Sequence, residues 1–199
     1  MKRLFFTLAA AILTYGAAFA QQEEKITSSE LIGRFQNRDT WGWMLESKGG
    51  TQLDGNDTKV RLMNLTGYFT IPWNKYVSTS IIVDGGVGLF RRYRDLSDKG
   101  LGKQRTYDEF FGLGAEVAVN AFRIADNSLV QFAVGAGNTI DSEWKFFFTD
   151  LSARWFFVPR EPQCVLPYIT FGVRYMNGQS SRFDNNWIFN AGVGCRLNW

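Results

Sequence analysis

The stretch that decides the fold is the last one, Asn186–Trp199, NWIFNAGVGCRLNW. Successive side chains of an extended chain point to opposite faces. Trp187, Phe189, Ala191, Val193, Cys195, Leu197 and Trp199 therefore share one face, and Asn190, Gly192, Gly194, Arg196 and Asn198 the other. One face is bulky and apolar; its opposite is small, polar or charged. A water-soluble barrel keeps its bulk inside, whereas a barrel surrounded by lipid carries it outside.

The same alternation recurs upstream. Eight period-2 runs are expected as strands: Thr40–Lys48, Lys59–Ile71, Tyr76–Arg92, Thr106–Phe122, Ser128–Ile140, Trp144–Val158, Val165–Met176 and Asn186–Trp199. Each is long enough to cross a bilayer at a tilt, which takes roughly 9 to 11 residues. Met63, Leu65, Ile81, Val83, Phe111, Val117, Val134, Leu151 and Phe171 fall on the apolar face; Asn64, Thr66, Tyr68, Ser80, Gln131, Ser152 and Thr170 fall on the polar one. Short connections at Pro72–Lys75, Arg123–Asn127 and Pro159–Cys164 alternate with longer loops at Gly49–Thr58, Tyr93–Arg105 and Asn177–Asn185, as an even-stranded barrel with both termini on one side requires. Aromatic residues gather near both sets of ends, Trp73, Tyr76, Phe122, Trp155, Phe157, Tyr168 and Trp199 at one and Tyr93, Tyr107, Trp144, Phe147, Tyr175 and Trp187 at the other, which predicts two girdles. The predicted fold class is all-β, an eight-stranded antiparallel up-and-down transmembrane β-barrel.

Residues 1–20 read as a cleaved secretory signal peptide, with Lys2 and Arg3 before the apolar run Leu4–Leu13 and Ala18-Phe19-Ala20 as the cleavage site. Residues 21–39 form a polar periplasmic lead, and 40–199 the barrel. No stretch supplies the roughly 20 uninterrupted apolar residues of a spanning helix, so any crossing is by strands. Lys and Arg number 22 against 19 Asp and Glu, and two of the bases sit in the signal, so no nucleic-acid partner is indicated.

The charged residues of the polar face are the candidate site. Asp84, Glu116 and Asp150 stand to meet Arg154, Arg174 and Arg196 in a lumen charge network, because side chains fill the interior of an eight-stranded barrel and a charge there must be paired or hydrated. Phe110, Phe148, Phe156, Ile82 and Ile188 share that face and make the lumen less polar than a water-filled channel. Cys164 and Cys195 fall at one end of the barrel, where a disulfide is one reading and two unbridged structural cysteines the other. Arg91, Arg92 and Arg94 at the outer end of the third strand are candidates for lipopolysaccharide phosphate contact by charge-assisted hydrogen bonds, although parity sends only some of them outward. Asp54, Asn56 and Asp57 make an oxygen-rich loop tip that reads as a plain turn, since it lacks the spacing of a Ca²⁺ loop.

The alternating apolar residues ending on Leu197 and Trp199 resemble the carboxy-terminal assembly signal of bacterial outer-membrane barrels. With the signal peptide, they make the chain resemble small outer-membrane barrels of the OmpA-like and OmpW-like kind and their porin-family relatives. That resemblance implies location in the cell outer membrane, contact with outer-membrane lipid and lipopolysaccharide, delivery by the barrel-assembly machinery and a monomeric state, with no cofactor and no metal. The acyltransferase, deacylase and protease barrels of similar architecture use a catalytic His, and this chain has none. A Ser-His-Asp triad and the His-containing zinc motifs fall on the same ground. A Glu116 and Asp150 pair for acid/base work is disfavoured by the arginines expected beside it. Three readings remain: a structural, adhesive or envelope-integrity barrel with a side-chain-filled lumen; a narrow channel for ions or small apolar solutes; and a secreted soluble barrel resembling lipocalins, which requires Phe111, Leu113, Val117 and Val119 to be buried inside.

Overall fold

The structure is a computed structural model that describes residues 42–53, 58–74, 76–96, 100–122, 124, 128–140, 145–158, 165–178 and 185–198. The signal peptide, the polar lead, the tip with Asp54, Asn56 and Asp57, Trp144, Cys164 and Trp199 all fall outside those residues. Eight strands follow one another: β1 Gly42–Gln52, β2 Thr58–Pro72, β3 Val77–Leu96, β4 Gly100–Phe122, β5 Ser128–Ile140, β6 Phe146–Phe157, β7 Val165–Gly178 and β8 Asn186–Asn198. Each pairs antiparallel with its sequence neighbours, and β1 closes on β8 from Gly42↔Asn198 to Gln52↔Ile188, giving a closed up-and-down barrel. Closure leaves no sheet edge along the paired wall, which is the condition for strands to cross lipid.

Parity holds along the wall. Met44, Glu46 and Lys48 of β1 are buried while Trp43, Leu45 and Ser47 are exposed, and the same alternation runs through β6 and β7. Met63 (70%), Leu65 (54%), Val134 (55%) and Leu151 (58%) are exposed on the outer face, a burial pattern opposite to that of a soluble barrel. Phe111, Leu113, Val117 and Val119 are exposed with them, and Glu116 is buried, which removes the lipocalin-like arrangement. Exposed apolar surface of this extent suits hydrocarbon, not water. The architecture is that of a transmembrane β-barrel.

Aromatic pairs stud the outer wall: Trp43 with Phe69, Trp155 with Phe157, Phe122 with Phe132, and Tyr175 with Trp187, at centroid separations of 4.9, 5.5, 6.1 and 4.8 Å. Tyr168, expected in the lower girdle, is instead fully buried, because it shares the inward parity of Thr170 and Arg174 on β7. At the same end the turn after β2 is closed by Asn74, whose Oδ1 accepts from the amides of Tyr76 and Val77 at 2.8 and 2.9 Å. Trp73 Nε1 donates to Thr79 Oγ1 at 2.9 Å.

The largest departure from the expected boundaries is at the other end. The segment Tyr93–Arg105, read from sequence as a loop, is mostly strand: β3 and β4 stay in register from Arg91↔Arg105 to Leu96↔Gly100. Among the described residues, β2 joins β3 only as far as Thr58↔Arg92 and β5 joins β4 only from Ile140↔Phe111, so the ribbon runs on past both. The segment is rich in charge and carries Gly100 and Gly102, so its sequence has no apolar period by which a strand could be read.

Candidate functional site

The barrel interior is stratified. At the turn end Met44, Tyr68, Ile82, Leu129, Phe156, Val158, Leu166 and Tyr168 form one buried apolar cluster. At the loop end Val60, Leu62, Phe110, Phe146, Phe148, Met176 and Ile188 form another. The charged side chains lie between them, except Arg196, which is level with Met44 and Leu166 of the turn-end cluster. Glycines on the inner wall let the large rings in: a Cβ on Gly194 would strike the Tyr168 ring, and one on Gly137 the Phe148 ring.

The charged layer is built around two arginines, both sequestered from solvent, Arg154 at 1% and Arg174 at 0% exposure. From β6, Arg154 donates through Nη1 and Nη2 to Glu116 Oε1 and Oε2 of β4 at 2.6 and 2.7 Å. Its Nε donates to Glu46 Oε2 of β1 at 3.2 Å, and Nη1 also reaches Gln131 Oε1 at 3.3 Å. Lys48 Nζ stands 2.9 Å from Glu46 Oε1 and donates to the Tyr68 hydroxyl at 3.1 Å, which in turn donates to Glu46 Oε1 at 3.1 Å. The Arg154 guanidinium lies over the Tyr68 ring, 4.5 Å from its centroid.

Arg174 repeats the scheme one level toward the loops. Its Nε and Nη2 donate to Asp150 Oδ1 and Oδ2, its register partner across β6 and β7, at 2.6 and 2.7 Å. Its Nη1 crosses the barrel to Asp84 Oδ2 of β3 at 2.6 Å. The other oxygen of Asp84 accepts from Asn64 Nδ2 at 2.8 Å and Thr66 Oγ1 at 2.7 Å. The guanidinium sits over the Phe148 ring at 4.5 Å. Bidentate arginine–carboxylate pairs of this length are the strong class of charge-assisted hydrogen bond.

Five of the six charged residues expected to meet are thus joined, in two groups instead of one. Glu116 and Asp150 are held by different arginines, so they do not form a carboxylate pair. Arg196 is buried on the same face, at the edge of the array and level with Met44 of β1 and Leu166 of β7. Glu46 and Lys48 are the members that sequence reasoning missed. Their signal was available: Met44, Glu46 and Lys48 alternate with Trp43 and Leu45, and two opposite charges on an inward parity invite a pair.

A cavity of about 10 Å³ opens between the two groups, bordered by Lys48, Tyr68 and Glu116 on one side and Asp150 on the other. Thr170 and Asn190 also line it, and Thr170 Oγ1 and Asn190 Oδ1 are buried without a hydrogen-bond partner among the described residues. That volume has room for about one water molecule.

Of the remaining candidates, Leu197 takes its place in β8 opposite Trp43 and Val165, on the outward parity. Cys195 is half-buried and in no disulfide among the described residues, its proposed partner Cys164 falling outside them. Arg91, Arg92 and Arg94 lie in β3, split by parity: Arg91 opposes Lys59 and Arg105, whereas Arg92 opposes Thr58 and Gln104, and Arg94 opposes Gly102.

No family model and no curated protein matches the chain. Among solved structures it is similar to the outer membrane protein Ail of Yersinia pestis in a phospholipid bilayer nanodisc, at 15% identity and a TM-score of 0.36 over 79% of this chain and 100% of that one. The β domain of the Bordetella autotransporter BrkA is similar at 12% identity and a TM-score of 0.27, covering 81% of this chain and 100% of that one. The translocator domain of the autotransporter NalP from Neisseria meningitidis is similar at 9% identity and a TM-score of 0.27, covering 97% of each chain.

Proposed function

We propose that this protein is an integral outer-membrane barrel with a structural, adhesive or envelope-integrity role and a closed lumen, and that it is not an enzyme. The observation that carries the reading is the stratified interior inside an apolar wall. Two apolar layers cap an ion-paired layer, and the cavity within that layer has room for about one water, too little for a hydrated ion to pass. With the lumen filled, contact with the surroundings falls to the lipid-facing wall and to the loop end, where the β3–β4 ribbon extends past its neighbours.

Fractionation followed by planar-bilayer recording tests this. The protein is expected to resist extraction from membranes except by detergent and, once purified and folded, to give no discrete conductance steps at any voltage. Steps that change with Glu116→Ala would overturn the closed lumen in favour of a narrow channel for ions or small solutes.

A further inference from the structure

Between the two arginine clusters, glycines leave a gap in the inner wall that polar side chains face. Thr170 of β7, Gly192 of β8 and Lys48 of β1 are register partners in one row, so Lys48 and Thr170 stand on either side of a residue with no side chain. Neighbouring strands lie about 4.8 Å apart, which puts those two backbones about 10 Å from each other across the glycine. A Cβ on Gly192 would come 2.9 Å from Lys48 Cγ. Two positions along β8, Asn190 is flanked in the same way by Gly172 and Gly50. The small cavity lies here, with Lys48, Thr170, Gly172 and Asn190 in its lining. Lys48, Thr170 and Asn190 are all buried, at 5%, 1% and 5% exposure. Thr170 Oγ1 and Asn190 Oδ1 have no hydrogen-bond partner among the described residues. Lys48 engages Glu46 and the Tyr68 hydroxyl, which uses two of the three N–H groups of its ammonium. Buried polar groups left unsatisfied are rare and costly, so three of them around one cavity point to a ligand.

Charge selects that ligand. Both oxygens of Glu116 are held by Arg154 and both of Asp150 by Arg174, so the carboxylates on the lining are already compensated, and the Lys48 ammonium would repel a further cation. An anion would meet the same two carboxylates. A neutral molecule of one heavy atom that both donates and accepts meets all three groups: it accepts from Lys48 Nζ, donates to Asn190 Oδ1 and pairs with the Thr170 hydroxyl. We propose that the cavity is a binding site for one resident water, held by Lys48, Thr170 and Asn190. Three hydrogen bonds is the usual complement of a buried water. The site rests on the closed-lumen reading above and deepens it, since the water belongs to the packed interior and is not one of a file passing through.

High-resolution crystallography of the detergent-folded protein tests this. The natural protein is expected to show one isolated density peak within about 3.2 Å of Lys48 Nζ, Thr170 Oγ1 and Asn190 Oδ1. Thr170→Val/Asn190→Leu removes two of the three partners and is expected to lose the peak, each bond lost weakening the hold about fivefold. Thr70→Val is the control, because Thr70 is buried but bonded to Ser80 and is not part of the cavity lining, and it is expected to leave the peak in place. A double variant that keeps the peak, or a control that loses it, overturns the site. Crystals grown in rubidium bromide separate water from an ion: anomalous signal from either element inside the cavity overturns the water. If the double variant does not fold, the maps of the natural protein decide. A cavity without a peak overturns the site alone, whereas a column of peaks running through both apolar layers overturns the closed lumen and the site with it.

Discussion

The two arginine clusters of the interior share a plan and differ in how they settle their charge. Each has one arginine clamped by one carboxylate, a second carboxylate from across the barrel, and an aromatic ring beneath the guanidinium. Around Arg154, however, the second carboxylate, Glu46, has a cation of its own in Lys48. Around Arg174 the second carboxylate, Asp84, is hydrogen-bonded by the neutral donors Asn64 and Thr66, and Lys48 acts on it only through space. Counted as ionised, the first cluster balances two acids with two bases, whereas the second sets two acids against one. At the loop end a single guanidinium makes all the direct ionic contacts, with Lys48 adding to them at longer range, while at the turn end the direct contacts are shared.

That asymmetry sets the largest expected effect. Arg174→Met strands two buried carboxylates and is expected to cost about 3–5 kcal/mol in detergent unfolding, the range for breaking a buried pair. Arg154→Met is expected to cost clearly less, because Glu46 keeps Lys48. Equal losses in urea titrations of the two variants would erase the distinction.

Next in size is the coupling between residues. A cycle of Glu116→Gln with Arg154→Met, within one cluster, should show about 1–3 kcal/mol of interaction, while Glu116→Gln with Arg174→Met, across the two, should be additive within about 0.5 kcal/mol. A large cross-cluster term would mean one network, not two.

The smallest effects concern the neutral donors. Thr66→Val or Asn64→Leu, each removing one hydrogen bond from an Asp84 that keeps its others, should cost about 0.5–1.5 kcal/mol, the net worth of a single hydrogen bond. If either is silent, Asp84 depends on Arg174 alone and the contrast between the clusters sharpens.

Much of this was legible in the sequence, because a wall with lipid on one side and a packed lumen on the other imposes period 2 on every residue. Asp84, Glu116, Asp150, Arg154 and Arg174 were readable as inward from parity alone, and so were Phe110, Phe148 and Ile188. The partners were less accessible. Glu46 with Arg154 and Asp84 with Arg174 join strands on opposite sides of the ring, and alternation along one strand says nothing about stagger between distant ones. Tyr168 was misread because an aromatic near a strand end fits a girdle by type, and only its parity reveals the lumen. The β3–β4 extension went unread for the reverse reason: Tyr93–Arg105 is rich in charge and glycine and has no apolar alternation to distinguish a ribbon from a loop.

The tie between Glu46 and Arg154 spans 108 residues, from the first strand of the wall to the sixth, and it lies close beside the seam where β1 meets β8. Peeling β1 from β8 would draw Glu46 away from Arg154 and leave that buried guanidinium short of one of its two carboxylates. The seam is therefore latched from within. Such a barrel is expected to open as a whole or not at all, and to resist lateral unzipping at the one place where a ring made from a linear chain is weakest.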